Sequence, residues 1–231
     1  MTMTLYDLAG AEDERRFSPY CWRARLALAH KGLEADCLPV RFTEKDRIAF
    51  SGGQTYPVLA DGTCAIVDSW DIACYLEDTY ADRPSLFGGD IGRAQARFIA
   101  AWVDTVLHPQ LVTMVVADIW KHLHEKDRDY FRQSREARFG APLEEVQKGR
   151  EERLPALRAA LAPLRAVLKH ADYLCGAAPA YGDYAVFGSF QWARSISPFR
   201  LLEEDDRVYA WRARMLELYD GLAGHALGYA P

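Results

Sequence analysis

Segments that read as β-strands end by residue 80, and from there on the chain offers helical spacing only. That asymmetry asks for a small sheet-bearing unit followed by an all-helical one. No internal repeat or low-complexity segment competes with it. Residues 2–7 (TMTLYD) alternate polar with Met, Leu and aromatic side chains and predict a strand. Residues 19–31 (PYCWRARLALAHK) are rich in the good helix formers Ala, Leu and Arg, and Gly32 stands where a helix-terminating residue belongs. Residues 36–42 (DCLPVRF) predict a second strand. Its Pro39 cannot donate to a ladder, which sends this strand to a sheet edge. Strand, helix, strand over this span makes a right-handed βαβ unit with parallel strands. Two short apolar runs at 56–60 (YPVLA) and 64–67 (CAIV) then flank Asp61-Gly62, a strong hairpin signal. Residues 69–80 carry Ile72, Ala73, Tyr75, Leu76 and Tyr80 at helical spacing. The order βαβ followed by ββα predicts a small sheet of mixed direction.

Residues 81–90 (ADRPSLFGGD) read as a linker, dividing the chain into units 1–80 and 91–231. Residues 92–126 form one long helical pattern that Pro109 kinks or divides. Residues 128–138 and 143–168 also read as helices, with Pro155 and Pro163 marking helix starts or kinks. Residues 183–194 are apolar nearly all round and predict a buried central helix. Residues 207–222 close the set.

Half of the 231 residues are apolar, enough for a packed core or two small ones. Net charge is −5, with 28 basic residues scattered among 33 acidic ones. No basic stripe appears, which argues against a nucleic-acid partner. The five cysteines are odd in number and widely spaced, as suits reduced thiols. The N-terminus lacks the pattern of a secretion signal, and no 18-residue apolar run stands out as a membrane span. Together these predict a cytoplasmic protein.

Chemistry concentrates where the first strand's loop enters the first helix, at Ser18-Pro19-Tyr20-Cys21. Serine is a strong N-cap and proline at the next position is pre-organised for a helix, so a plain helix start accounts for the pair. The functional reading is that the free N–H groups and positive end of this helix face a thiolate. Pro57 alone is a strand-start proline and Asp68-Ser69 alone an ordinary cap. His122 and His124 are two apart and diverge on a helix, and no HExxH, P-loop, dinucleotide or G-x-S-x-G pattern occurs, so no metal is expected. Cys21 is a redox candidate at a helix terminus, but with serine at position 18 it lacks a Cys-x-x-Cys partner.

These residues carry a resemblance. Ser18-Pro19-Tyr20-Cys21 resembles the Cys-Pro-Tyr-Cys of glutaredoxins with serine first, and is similar to the activating serine of several glutathione transferase classes. Thr55-Tyr56-Pro57-Val58-Leu59 resembles that family's cis-proline segment, and Val67-Asp68-Ser69 its acid-serine pair. Gly182-Asp183-Tyr184 resembles its helical-domain capping motif, although Ala180 stands where Ser or Thr is usual, at a cost of about 1 kcal/mol. Within the family, Phe17 to Arg23, Asp68-Ser69-Trp70, the run Arg128-Asp129-Tyr130 to Arg138, the run Leu143-Glu144-Glu145-Val146-Gln147 to Glu151-Glu152-Arg153-Leu154-Pro155 and Leu218-Tyr219-Asp220-Gly221-Leu222 look like bacterial glutathione-dependent β-aryl etherases.

The resemblance implies a thioredoxin-like domain followed by a helical bundle, in a homodimer. It implies glutathione as co-substrate, with Ser18 stabilising its thiolate. Tyr56 and Pro57 would pair with the cysteinyl unit, Asp68 and Ser69 would grip the γ-glutamyl end, and Lys45 would meet the glycyl carboxylate. The second substrate would be a hydrophobic aromatic electrophile held by Tyr20, Trp102, His108 and Trp192. Two alternatives stay open: a glutathione-dependent thiol-disulfide reductase acting through Cys21, and a glutathione-binding protein without catalysis.

Overall fold

The computed structural model describes residues 3–230; Thr2, with which the expected first strand begins, lies outside them. Strand β1 (Met3–Leu8) runs through the middle of a four-stranded sheet. It pairs in parallel with β2 (Ala35–Val40) and antiparallel with β3 (Val58–Asp61). Strand β4 (Cys64–Val67) pairs antiparallel with β3, giving the order β2-β1-β3-β4. Pro39 therefore lies on an edge strand, as its missing N–H requires. Helix α1 (Pro19–His30) and helix α2 (Ser69–Thr79) bury Trp22, Leu26, Ile72 and Leu76 in one core with Leu5 and Leu59 of the sheet. A 3-10 helix (Lys45–Ser51) bridges β2 and β3.

The expected helix 92–126 is three pieces. Helix α3 (Asp90–Trp102) passes through a stretch of wider π-type turns (Val103–Leu107) into α4 (His108–Lys121). Pro109 gives no N–H to the carbonyl of Thr105, which lies within that stretch, so the wider register absorbs the proline without ending the helix. By length and composition alone the continuous run Asp90–Lys121 could cross a membrane, which corrects the expectation of no such run. Its Leu107, Leu111, Met114 and Val115 are fully or almost fully buried in the protein's own core.

Helix α5 (Glu125–Phe139) extends the expected 128–138 helix at both ends. The expected helix 143–168 divides into α6 (Leu143–Gln147), α7 (Arg150–Ala160) and α8 (Ala162–Leu168). Gly149 separates the first two by taking φ 66°, a left-handed conformation open to glycine. Pro163 lies in the first turn of α8, whereas Pro155 sits inside α7 and starts nothing. Helix α9 (Tyr181–Ile196) is the buried central helix, with every residue except Arg194 buried. Ala180 supplies no cap side chain; the fully buried Asp183 carboxylate accepts from Ala180 N at 3.2 Å, Leu174 N at 2.7 Å and Trp211 Nε1 at 2.9 Å. Helix α10 (Arg207–Gly221) loses helical geometry at Leu218, Tyr219 and Asp220.

The sheet unit docks on α9 through α1. Tyr181 Oη donates to the Ser69 carbonyl at 3.0 Å, and Arg15 Nη1 donates to the Ser195 carbonyl at 2.7 Å. Arg23 Nη2 reaches Asp104 Oδ1 at 2.7 Å. These bonds fix the start of α1 against the helical domain, and a cleft opens there.

Candidate active site

The cleft has a volume of about 410 Å³, within the range of small-molecule sites. Its sheet-side wall comprises Ser18 and Tyr20 at the start of α1, Phe42 and Lys45 after β2, and Thr55 and Tyr56 before β3. The helical side contributes His108 and Val112 of α4, Tyr130 and Arg135 of α5, and Trp192 of α9.

Ser18 is the N-cap of α1, and its Oγ accepts from Cys21 N at 3.2 Å. That bond occupies a lone pair and leaves the hydroxyl proton free to donate. Pro19 follows at the first helical position, and no acidic side chain stands in the helix's own first turn. The result is a donor and a partial positive charge on one wall of the cleft. Cys21, three residues on, does not line the cleft. It is fully buried, its sulfur accepts from Leu8 N at 3.5 Å, and burial pushes its thiol well above the ordinary range.

The Tyr56–Pro57 bond is cis. The Pro57 carbonyl accepts from Asp68 N at 3.3 Å, which brings the segment before β3 against the start of α2. Asp68 holds φ 79°, a sparsely populated conformation for a side-chain-bearing residue, while its carboxylate caps α2 by accepting from Trp70 N at 2.7 Å. Tyr56 lines the cleft; Pro57, Asp68 and Ser69 adjoin it without lining it. Lys45 lines it too, with Nζ 4.5 Å from the centre of the Tyr56 ring. Burial, reinforced by the charge of Arg135, lowers the Lys45 pKa.

On the facing wall His108 Nδ1 lies 3.4 Å from Tyr20 Oη and 3.4 Å from Asp104 Oδ1, and its Nε2 lies 3.1 Å from Ser189 Oγ. Burial pushes His108 below its ordinary pKa although Asp104 opposes the shift. Burial alone would raise Asp104, but the hydrogen bonds of His108 and Arg23 prevail and bring it down to about 2. The Tyr20 phenol is raised by burial and by the Asp104 charge. Trp192 packs edge-on against His108, with ring centres 5.4 Å apart.

Trp102 is a correction: it does not line the cleft. Asp104, Phe42, Tyr130, Phe131, Arg135 and Arg138 line the cleft and were not anticipated. The Asp104/His108 spacing of four was a readable signal for a shared helix face. Tyr130, Phe131, Arg135 and Arg138 fall in the etherase-like run 128–138, which gave no sign that they face a cleft. No cluster of three His, Cys, Asp or Glu suited to a metal occurs among the described residues.

Comparison with known proteins matches residues 94–217 to the family profile described as "Glutathione S-transferase, C-terminal domain" and residues 17–79 to "Glutathione S-transferase, N-terminal domain". The chain belongs to the glutathione S-transferase family. Among its relatives, this transferase is similar to glutathione S-transferase U28 of Arabidopsis thaliana, at 24% identity covering 87% of this chain and 81% of the relative. Glutathione transferase GSTFuA3 from Phanerochaete chrysosporium superposes with a TM-score of 0.77 at 26% identity, covering 96% of this chain and 92% of that one. Glutathione S-transferase CsGST63524 of Ceriporiopsis subvermispora, solved in complex with glutathione, superposes with a TM-score of 0.81 at 24% identity, covering 95% and 97%. At that identity the second structure speaks for the fold alone.

Proposed function

We propose that this transferase binds glutathione along the Ser18 wall and uses the serine hydroxyl to hold its sulfur as a thiolate, which attacks a hydrophobic aromatic electrophile. The observation that carries the reading is the Ser18 hydroxyl at a helix start with no acid in its own first turn, its lone pair engaged by Cys21 N, on the wall of an aromatic-lined cleft. A free thiol of pKa about 8.5 is only a few per cent ionised near neutral pH. A hydrogen bond donated to the sulfur and the positive helix end both favour the thiolate, each pKa unit corresponding to about 1.4 kcal/mol.

Glutathione's γ-glutamyl end is assigned to Asp68 and Ser69, its cysteinyl backbone to Tyr56 and Pro57, and its glycyl carboxylate to Lys45. The Tyr20, His108 and Trp192 side positions the electrophile, and fixed orientation supplies several kcal/mol of barrier reduction. For a β-aryl ether, the thiolate sulfur bonds to the carbon beside the ketone while the C–O bond breaks and an aryloxide leaves with the electron pair. The etherase-like residue runs support this version. The transferase is further proposed to act in the cytoplasm as a homodimer; Ile91 and Phe98, 77% and 75% exposed on α3, are apolar surface that a second copy would cover.

The reductase alternative requires a reachable Cys21 thiolate, and the burial of that sulfur speaks against it. The test is phenol release from a ketone-bearing β-aryl ether with and without glutathione. Glutathione-dependent release is expected. Clear glutathione binding without turnover of this or any other aromatic electrophile would move the protein to the non-catalytic alternative.

A further inference from the structure

We propose that Arg135 and Arg138 of α5 form an anion-binding subsite in the cleft, which selects aromatic electrophiles bearing a carboxylate. The inference deepens the glutathione-conjugation reading and rests on it.

Most guanidinium groups in this acidic chain are paired with acids. Arg23 holds Asp104, Arg132 on the same helix holds Glu144 and Glu136, Arg150 holds Asp118, and Arg165 holds Asp206. The two arginines that α5 turns into the cleft differ. Among the described residues neither Arg135 nor Arg138 makes a salt bridge. Arg135 makes one side-chain hydrogen bond, from Nη1 to Ser134 Oγ at 3.0 Å, which leaves most of its five N–H donors uncommitted. Lys45, facing them from the sheet side, also makes no salt bridge among the described residues, so three cations line one cleft. Burial and the neighbouring Arg138 charge lower Arg135 against the opposing effect of the Tyr130 phenol, and burial and the Arg135 charge lower Lys45. A bound anion would relieve that mutual repulsion.

The surroundings say what kind of anion fits. The Arg135 guanidinium lies over the rings of Phe42 and Phe131, at 5.2 and 4.8 Å from their centres, which orients its plane. Phe42 also packs 6.2 Å from Tyr130 and 5.6 Å from Phe131, ring centre to ring centre. An apolar aromatic shelf beside an oriented guanidinium suits a flat ring carrying a carboxylate, which matches the two-toothed donor geometry of arginine. With glutathione's own carboxylates assigned to Ser69 and Lys45 in the proposed function, Arg135 and Arg138 are left for a carboxylate of the second substrate.

Two glutathione conjugates that differ in one group test the subsite without requiring turnover. S-(2,4-dinitrophenyl)glutathione and S-(4-carboxy-2-nitrophenyl)glutathione exchange a neutral nitro group for a carboxylate of the same shape. Calorimetric binding at pH 7 and low salt should favour the carboxylate about tenfold in the wild type, a preference that added salt reduces. In Arg135→Gln/Arg138→Gln that ratio should fall to near one. Arg135→Lys, which keeps the charge and loses the fork, should give an intermediate ratio. A wild-type ratio of one, or a ratio that both arginine variants leave untouched, overturns the subsite while glutathione conjugation stands. Failure of both conjugates and of glutathione itself to bind overturns the conjugation reading and the subsite together.

Discussion

Asp104 owes its charge to two neighbours, and those neighbours give it a measurable signature. The hydrogen bonds of Arg23 and His108 bring its pKa down to about 2 against the opposing effect of burial. A carboxylate depressed in the folded state adds stability that is fully present above its ordinary pKa and is lost as pH falls toward 2. Asp104→Asn should therefore flatten the loss of thermal stability between about pH 4 and pH 2. The difference should be modest, because the side chain is 37% exposed and partly screened. Melting curves across that range decide it, and parallel profiles for both proteins would contradict the assignment. At this scale the sequence is most readable where backbone rules act. Ser18 is legible because an N-cap serine followed by proline has few other uses, and Tyr56 because it precedes a proline that opens a strand. Trp102 misleads because helical spacing says which residues share a face and not which neighbour that face meets.

Helix α9 is the element on which the cleft is assembled, and Gly188 sets how closely α1 approaches it. A Cβ at Gly188 would stand 2.5 Å from the Pro19 carbonyl oxygen and 3.4 Å from Arg23 Cγ, so any side chain there must push the first turn of α1. Gly188→Ala should cost about 1–3 kcal/mol of stability. It should also lower kcat/KM, because the displaced turn carries Ser18. Thermal melts and conjugation assays on the same preparation check both, and an unaltered melting temperature would contradict the close approach. The buried helix was legible from residues apolar nearly all round, since no solvated face interrupts them. The division of 143–168 was not, because Gly149 and Pro155 look equally disruptive in sequence. In the structure one takes a left-handed backbone and the other is accommodated inside α7.

Over the whole molecule, a small sheet of mixed direction and the helical second half followed from strand signals that end early, whereas the cleft did not. Its walls come from α1, the segment after β2, α4, α5 and α9, so it exists only once the two halves dock. Arg135, Tyr130 and Phe42 acquire their roles there, and the family-like run 128–138 did not say which of its side chains would meet the cleft. The proposed homodimer belongs to this scale: sedimentation should give a dimer for the wild type, and Phe98→Glu should shift it toward monomer, since a charge would then have to be buried with Ile91. An unchanged mass for the variant would remove α3 from the interface. The most direct test of the central claim is the pKa of the bound glutathione thiol, titrated through thiolate absorbance in the wild type and in Ser18→Ala. The wild type should ionise at least about one unit below the free thiol's 8.5, and the variant, still binding glutathione, should move back by about one unit or more. Equal values in the two proteins, or a wild-type value no lower than that of free thiol, would contradict it.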